Sequence, residues 1–261
     1  MAWDRVRIAL VQAASSLEPT ENEQSLDALA PRDVDLIVFP EAYARDFGAI
    51  GSDLAPFAQA LDGPFGSEVA RVAADRGATV VAGMFEASPD GDRPLNTLLV
   101  RGAANAEYRK IHLYDSFGYR ESDSVRHGPI APTVVDVNGL SVGLMTCYDL
   151  RFPEMARALV ERGAELIVVP AAWTAGTDKV THWETLLRAR AIENTVYVVG
   201  VGQPAPRYCG HSMVVDPAGH VLAEAGPDAA IVSGTIDRER LEEVRAINPS
   251  LANRRFAATG R

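Results

Sequence analysis

Two runs in this sequence, Leu36-Ile37-Val38-Phe39-Pro40 and Leu166-Ile167-Val168-Val169-Pro170, are apolar at every position and end on a proline. A strand with one wet face alternates apolar and polar residues, whereas a strand apolar on both faces has to be covered on both. The runs therefore point to sheets buried between layers, an α/β architecture. The wider segments echo each other 130 positions apart, Val34–Tyr43 against Ala164–Trp173. The echo is either a commonplace strand edge or the mark of a pseudo-twofold. In the second reading two α-then-β halves build two stacked sheets with helices outside. The period is too long for a solenoid. No Pro/Gly/Ser-rich linker divides the halves, so one domain is expected over residues 1–261.

Short β-branched runs alternate with longer helical patterns along the rest of the chain. Strands are predicted over Val6–Gln12, Leu36–Phe39, Thr79–Met84, Asn96–Val100, Thr133–Val137, Leu140–Thr146, Leu166–Pro170, Val196–Val201, Ser212–Val215 and Ile231–Ile236. Helices are predicted over Thr20–Leu29, Gly66–Arg76, Pro153–Arg162, Thr181–Glu193 and Asp237–Ala246. The fourth helix carries Trp183, Leu187 and Ala191 as an inward stripe, with its charged residues opposite.

Charge and composition narrow the function classes. The 261 residues include 25 Lys and Arg against 35 Asp and Glu, a formal charge of −10. An acidic chain without a basic run is poorly suited to gripping nucleic acid or an anionic membrane, so neither is an expected partner. Two cysteines, Cys147 and Cys209, rule out a disulfide scaffold. The opening MAWDRVRIALVQ lacks a secretory apolar core, and no run approaches 18 apolar residues. A cytoplasmic protein is the expectation.

Several familiar sites are absent: there is no G-x-S-x-G elbow, no phosphate loop, no G-x-G-x-x-G after a strand and no H-E-x-x-H. The five histidines are scattered, and no metal site is expected. Three segments place polar residues at the ends of apolar strands, where α/β proteins keep their sites. Glu41 follows Pro40, Lys110 lies in Tyr108-Arg109-Lys110-Ile111-His112-Leu113-Tyr114-Asp115, and Cys147 joins strand Leu140–Thr146 to the helix near Pro153. Taken alone, each has a plain reading: a buried small thiol, a loop-capping acid, a solvated lysine. Together they complement one another. A thiol needs a base to become nucleophilic, a carboxylate can be that base, and an ammonium can hold the oxyanion formed when sulfur attacks a carbonyl.

The Phe39-Pro40-Glu41-Ala42-Tyr43, Tyr108–Asp115 and Met145–Glu154 segments resemble the Glu, Lys and Cys signatures of the nitrilase (carbon–nitrogen hydrolase) superfamily, in that order. The resemblance extends through His182–Asn194 and Gly210–Pro217, nearly the whole chain. It implies a four-layer αββα sandwich and a homodimer or a multiple of dimers. It implies Glu41 as general base, Lys110 as oxyanion-stabilising lysine, Cys147 as nucleophile and Glu121 as an additional active-site glutamate. The implied reaction needs no cofactor: a thioester forms on Cys147, held at the oxyanion by Lys110 and the N–H of Tyr148, and water then hydrolyses it.

Within the superfamily, Cys147-Tyr148-Asp149-Leu150-Arg151-Phe152-Pro153-Glu154 is similar to Nit-type amidases, the group of omega-amidase, whose small-molecule substrates are amides that also carry a carboxylate. Tyr148, Arg151 and Trp173 are the expected substrate-binding residues. Arg151 could hold a carboxylate bidentately or pair structurally with Asp149 or Glu154. The segment Gly202–Cys209 is shorter than the corresponding omega-amidase loop, which leaves the acyl group open. The alternatives are an N-carbamoyl amide hydrolase, a Cys147–histidine dyad using His112 or His182, and an inert binding module on the same fold.

Overall fold

The computed structural model describes residues 3–89 and 91–256. In chain order the elements are β1 (Arg5–Gln12), α1 (Pro19–Leu29), β2 (Leu36–Val38), α2 (Pro64–Arg76), β3 (Thr79–Glu86), β4 (Leu95–Arg101), β5 (Ala106–Arg109), β6 (Asp115–Ser116) and β7 (Tyr119–Arg120). There follow β8 (Val134–Val137), β9 (Leu140–Leu144), α3 (Pro153–Glu161), β10 (Leu166–Ala171), α4 (Lys179–Asn194), β11 (Tyr197–Gly202), β12 (Met213–Val215), β13 (Val221–Glu224), β14 (Ala230–Asp237) and α5 (Arg238–Ile247). Every expected strand and helix is present, with ends moved by a few residues. The unpredicted strands are short or wet: β5 and β13 lie at sheet edges, and β6 and β7 form a two-residue-by-two-residue hairpin. Apart from the three residues Val221–Ala223 of β13, which are mostly exposed, such segments carry no apolar run to read.

Two six-stranded sheets have matching construction, with orders β14-β1-β2-β3-β4-β5 and β13-β12-β11-β10-β9-β8. In the first, β1, β2 and β3 are parallel, with β14 antiparallel on one side and β4 and β5 antiparallel on the other. In the second, β9, β10 and β11 are parallel, flanked by antiparallel β8 and by antiparallel β12 and β13. Strands β2 and β10, the two all-apolar runs, are the middle members of the parallel triples. The echo in the sequence is therefore a structural pseudo-twofold.

Side chains alternate across each strand and so supply two layers of core at once. From the first sheet, Ile8, Leu10, Leu36, Val38, Val81, Leu98 and Val100 join a core shared with the second sheet. Their neighbours Val11, Ile37, Val80, Ala82, Met84 and Leu99 face the opposite way, onto Leu26 of α1 and Phe65, Val69 and Val72 of α2. Helices α3 and α4 cover the far side of the second sheet, which completes an αββα sandwich. No helix among the described residues is long and apolar enough to cross a membrane.

The stripe Trp183, Leu187 and Ala191 faces inward as expected, fully buried. Its approach to the sheet is close: a Cβ on Gly200 of β11 would sit 2.5 Å from Leu187 and 2.6 Å from Trp183. Two charged residues on α4, Lys179 at its start and Arg190 within it, depart from the expected solvated face. Arg190 is 4% exposed, and its guanidinium donates from Nε and Nη2 to the Leu150 carbonyl at 3.1 and 2.8 Å. Overpacking of this interface is directly measurable. Gly200→Ala should lower unfolding stability by about 1–3 kcal/mol in chemical denaturation, and an unchanged midpoint would contradict the packing described.

Candidate active site

Glu41, Lys110 and Cys147 come from three different strand ends and meet in one cavity of about 300 Å³, together with Glu121, Arg151 and Trp173. Glu41 lies three residues past β2. The backbone there is led by Gly83 of β3, whose N–H donates to the Pro40 carbonyl at 3.1 Å and whose carbonyl accepts from Ala44 at 3.0 Å. A Cβ on Gly83 would stand 2.7 Å from the Glu41 Cα and 2.5 Å from the Ala42 nitrogen, so only glycine lets the Glu41 turn lie this close. Lys110 follows edge strand β5. Cys147 follows β9 and opens a short 3-10 turn, Cys147–Arg151, that intervenes before α3 begins at Pro153. Ala42 and Cys147 both have left-handed backbones, φ 53° and 47°, a strained conformation costing about 1–3 kcal/mol at each residue.

The charged groups are almost wholly shielded from water: Glu41, Lys110 and Glu121 are each 1% exposed. Lys110 Nζ donates to Glu41 Oε1 and to Glu121 Oε2, both at 2.8 Å. Asn96 Nδ2 donates to the same two carboxylates, at 2.7 Å to Glu41 and 3.1 Å to Glu121. The second Glu41 oxygen accepts from the N–H of Ala172 at 2.7 Å, just past β10, and the second hydrogen bond to Glu121 Oε2 comes from the N–H of Tyr114 at 2.7 Å. Buried charge is tolerated only when paired and hydrogen-bonded, and each carboxylate here is both.

Asp149 ties the nucleophile turn to the lysine segment. Fully buried, it accepts from the Thr146 N–H at 2.9 Å and Tyr108 hydroxyl at 2.6 Å through one oxygen. Through the other it accepts from the His112 N–H at 3.1 Å and contacts His112 Nδ1 at 2.7 Å. Arg190, by capping the Leu150 carbonyl, anchors the end of the same turn.

The electrostatics follow from that arrangement. Burial works against the Lys110 charge, but Glu121 and Glu41 outweigh it and hold the ammonium well above its ordinary range. Burial raises Glu121, opposed by Lys110 and reinforced by Glu41. Burial, then the negative charge of Glu41, pushes the Cys147 thiol well above its usual value, with Lys110 pulling the other way. Two carboxylates and one ammonium leave a net charge of −1, so an additional thiolate is disfavoured and the resting sulfur keeps its proton. A proton passed from Cys147 to Glu41 moves within the cluster and leaves its total charge unchanged.

Other expected site residues fall as follows. Trp173 lines the cavity, and its Nε1 donates to the Lys179 carbonyl at 2.9 Å. Arg151 lines it too, and forms no ion pair with Asp149 or Glu154 among the described residues; its guanidinium lies 4.7 Å from the Trp173 ring centre. Tyr148 does not line the cavity; its ring lies edge-on between Tyr114 and Phe152 at 5.1 and 5.3 Å. His112 is engaged by Asp149 and stacked on Phe152 at 3.8 Å, while His182 contacts Arg151 at 3.4 Å. Neither lines the cavity, which removes support for a Cys–His dyad. Cys209 is buried, donates to the Gly210 carbonyl at 3.5 Å and is pushed up to about 12 by burial. Among the described residues no group of three or more His, Cys, Asp or Glu side chains is placed to hold a metal ion.

Asn96, Asp149, Tyr114, Lys179 and Arg190 were not singled out from the sequence. Asn96 has a signal, a polar residue beside Thr97 in the otherwise apolar run Leu95–Val100; the others sit in polar or amphipathic contexts that look solvated.

Residues 7–246 match the family described as carbon-nitrogen hydrolase. The chain belongs to that family. A hydrolase of Mycobacterium tuberculosis is 38% identical over 263 residues, covering 92% of each chain. A deaminated glutathione amidase of Escherichia coli O157:H7 is 42% identical over 232 residues, covering 87% of each. Among solved structures, a CN-hydrolase superfamily protein from Xanthomonas campestris with an arsenic adduct in its active site superposes with a TM-score of 0.89, at 29% identity over 99% of this chain and 100% of that one. A mutant amidase from Nesterenkonia sp. AN1 in complex with butyramide gives 0.77, at 30% identity over 94% of this chain and 95% of that one. The carbon–nitrogen hydrolase is thus a nitrilase-superfamily enzyme with the αββα fold.

The state of the nucleophile is open to titration. Because the folded thiol lies above its ordinary range, the absorbance near 240 nm of wild type minus Cys147→Ala should show no thiolate between about pH 6 and 8. A thiolate step inside that window would contradict the charge balance of the cluster.

Proposed function

We propose that this carbon–nitrogen hydrolase is a cysteine-dependent amidase that releases ammonia from a small amide carrying a carboxylate. The observation that carries the reading is the position of Lys110, buried between Glu41 and Glu121 in the cavity that holds Cys147. The amidase names borne by relatives and the butyramide held by the Nesterenkonia neighbour support an amide as the substrate.

In this reading Glu41 accepts the proton of Cys147 as the sulfur attacks the amide carbon. The oxyanion is held by Lys110 and the N–H of Tyr148. Glu41 then returns its proton to the leaving nitrogen, so ammonia departs and the acyl group stays on sulfur as a thioester. A water that loses its proton to Glu41 attacks the thioester, the sulfur takes a proton back, and the acid leaves. The sum is amide plus water giving acid plus ammonia. Glu121 acts through Lys110, holding the ammonium toward the cavity. Arg151, which forms no ion pair among the described residues, receives the substrate carboxylate in this reading. One domain spans residues 1–261 and acts in the cytoplasm, which fits two free, buried thiols. The functional unit is a dimer or a multiple of it; exposed Ile192, Val221 and Leu222 on α4 and β13 support a contact near the second sheet.

Three outcomes test the chemistry. Cys147→Ala and Cys147→Ser should each keep the fold and fall below about a tenth of wild-type ammonia release, while Cys209→Ser stays close to wild type. Lys110→Met should lower kcat by at least ~10²-fold with a smaller change in KM; an unchanged kcat returns Lys110 to a structural role. A screen of dicarboxylic mono-amides, aliphatic amides, nitriles and ureido acids separates the branches. Carbon dioxide released with ammonia would assign a carbamoyl amide hydrolase, and fastest turnover of a nitrile would assign a nitrilase. Light scattering should give about twice the 28.0 kDa chain mass or a multiple of that dimer, and a monomer at micromolar concentration would overturn the dimer.

A further inference from the structure

The same cavity carries a second set of charges that bond cleavage does not use. Arg151 and Lys179 both line it. The Arg151 guanidinium lies over the Trp173 and Phe117 rings, 4.7 and 5.5 Å from their centres, and its Nε is buried without a hydrogen-bond partner. Lys179, the first residue of α4, is 8% exposed. Its Nζ donates to the Tyr114 hydroxyl at 2.8 Å and lies 3.8 Å from the centre of the Phe117 ring.

Neither cation forms an ion pair among the described residues. The contrast is Arg207, the third cation on the outer wall, which Asp46 holds at 2.7 Å. Aromatic faces offset part of the cost of holding a cation away from water, but they supply no countercharge. A chain with 35 acidic residues against 25 basic ones leaves these two unneutralised inside a cavity. An ammonium has three donors and Tyr114 occupies one; a guanidinium has five. Donors are therefore free for an incoming anion.

We infer that Lys179, acting with Arg151, binds the carboxylate of the substrate and is the residue that selects acid-bearing amides over neutral ones. The inference rests on the amidase reading for the bond that is cut, but not for the binding of an anion. Tyr114 sets the geometry. Its N–H donates to Glu121, which holds Lys110, and its hydroxyl accepts from Lys179. The oxyanion site and the carboxylate site are thus held roughly one tyrosine side chain apart, which suits an acid and an amide separated by a few carbons. The net −1 of the inner cluster repels the carboxylate end and the two outer cations attract it, so the amide end is presented to Cys147.

The test compares glutaramate, a five-carbon diacid mono-amide, with neutral valeramide. In Lys179→Met the ratio of kcat/KM values, glutaramate over valeramide, should fall about tenfold or more, mainly through KM, and Lys179→Arg should restore most of it. A ratio that does not change, or an equal loss on both amides, would overturn the assignment. Calorimetric binding of glutarate provides a readout free of turnover. On the Cys147→Ala background, adding Lys179→Met should weaken glutarate binding by about tenfold or more, and an unchanged affinity would overturn the role of Lys179. If neither amide is hydrolysed by wild type, the amidase reading falls while the glutarate measurement still decides Lys179.

Discussion

Lys110 keeps its charge inside the protein because Glu41 and Glu121 share it, and those carboxylates are in turn satisfied by groups that only the folded chain brings near. One Glu41 oxygen takes the N–H of Ala172, 131 residues further on, at the end of the strand that is the pseudo-equivalent of its own. The Glu41 carbonyl accepts from Gln203 Nε2 at 3.0 Å, beyond β11. An ammonium and two carboxylates cannot be left partly solvated in such a place without losing several kcal/mol of desolvation with nothing to offset it. The cluster therefore depends on the packing of sheet on sheet for the partners that satisfy it.

The two-sheet sandwich explains why the site lies where it does. The parallel triples send the carboxyl ends of β2, β9 and β10 toward one region, and the residues just past those ends, Glu41, Cys147 and Ala172, meet there. Lys110 reaches the same place from an edge strand. Asp149 then locks the cysteine turn to the lysine segment through Tyr108 and His112, so nucleophile and ammonium cannot drift apart independently. Strain at Ala42 and Cys147 is held by this over-determined surround.

Much of the fold was legible because its signals are local. Apolar runs without alternation marked the central strands, and a three-residue stripe at four-residue spacing marked the inward face of α4. The two-residue strands β6 and β7 are too short for such a signal, the three apolar residues Val221–Ala223 of the wet edge strand β13 are too few to mark a strand, and the turn at Cys147–Arg151 was hidden between a strand end and a proline. Arg190 and Lys179 show the limit most clearly. By pattern each is a polar position at the solvated side or the start of a helix, yet one caps a buried carbonyl and the other faces a cavity. Burial of a long cation depends on what lies across from it, not on its own neighbours in the chain.

By itself the sequence determined the α/β layering, the strand ends that bear Glu41, Lys110 and Cys147, and the complementarity of a thiol, an acid and an ammonium, because periodicity and residue chemistry are properties of short segments. Only the tertiary structure decided that Asn96 closes the cluster by bridging Glu41 and Glu121, that Tyr148 does not line the cavity, that Arg151 has no acidic partner among the described residues, and that Lys179 lines the same cavity. Those are long-range pairings, and their energies depend on dielectric, distance and the sharing of donors, which exist only once the two sheets have closed on each other.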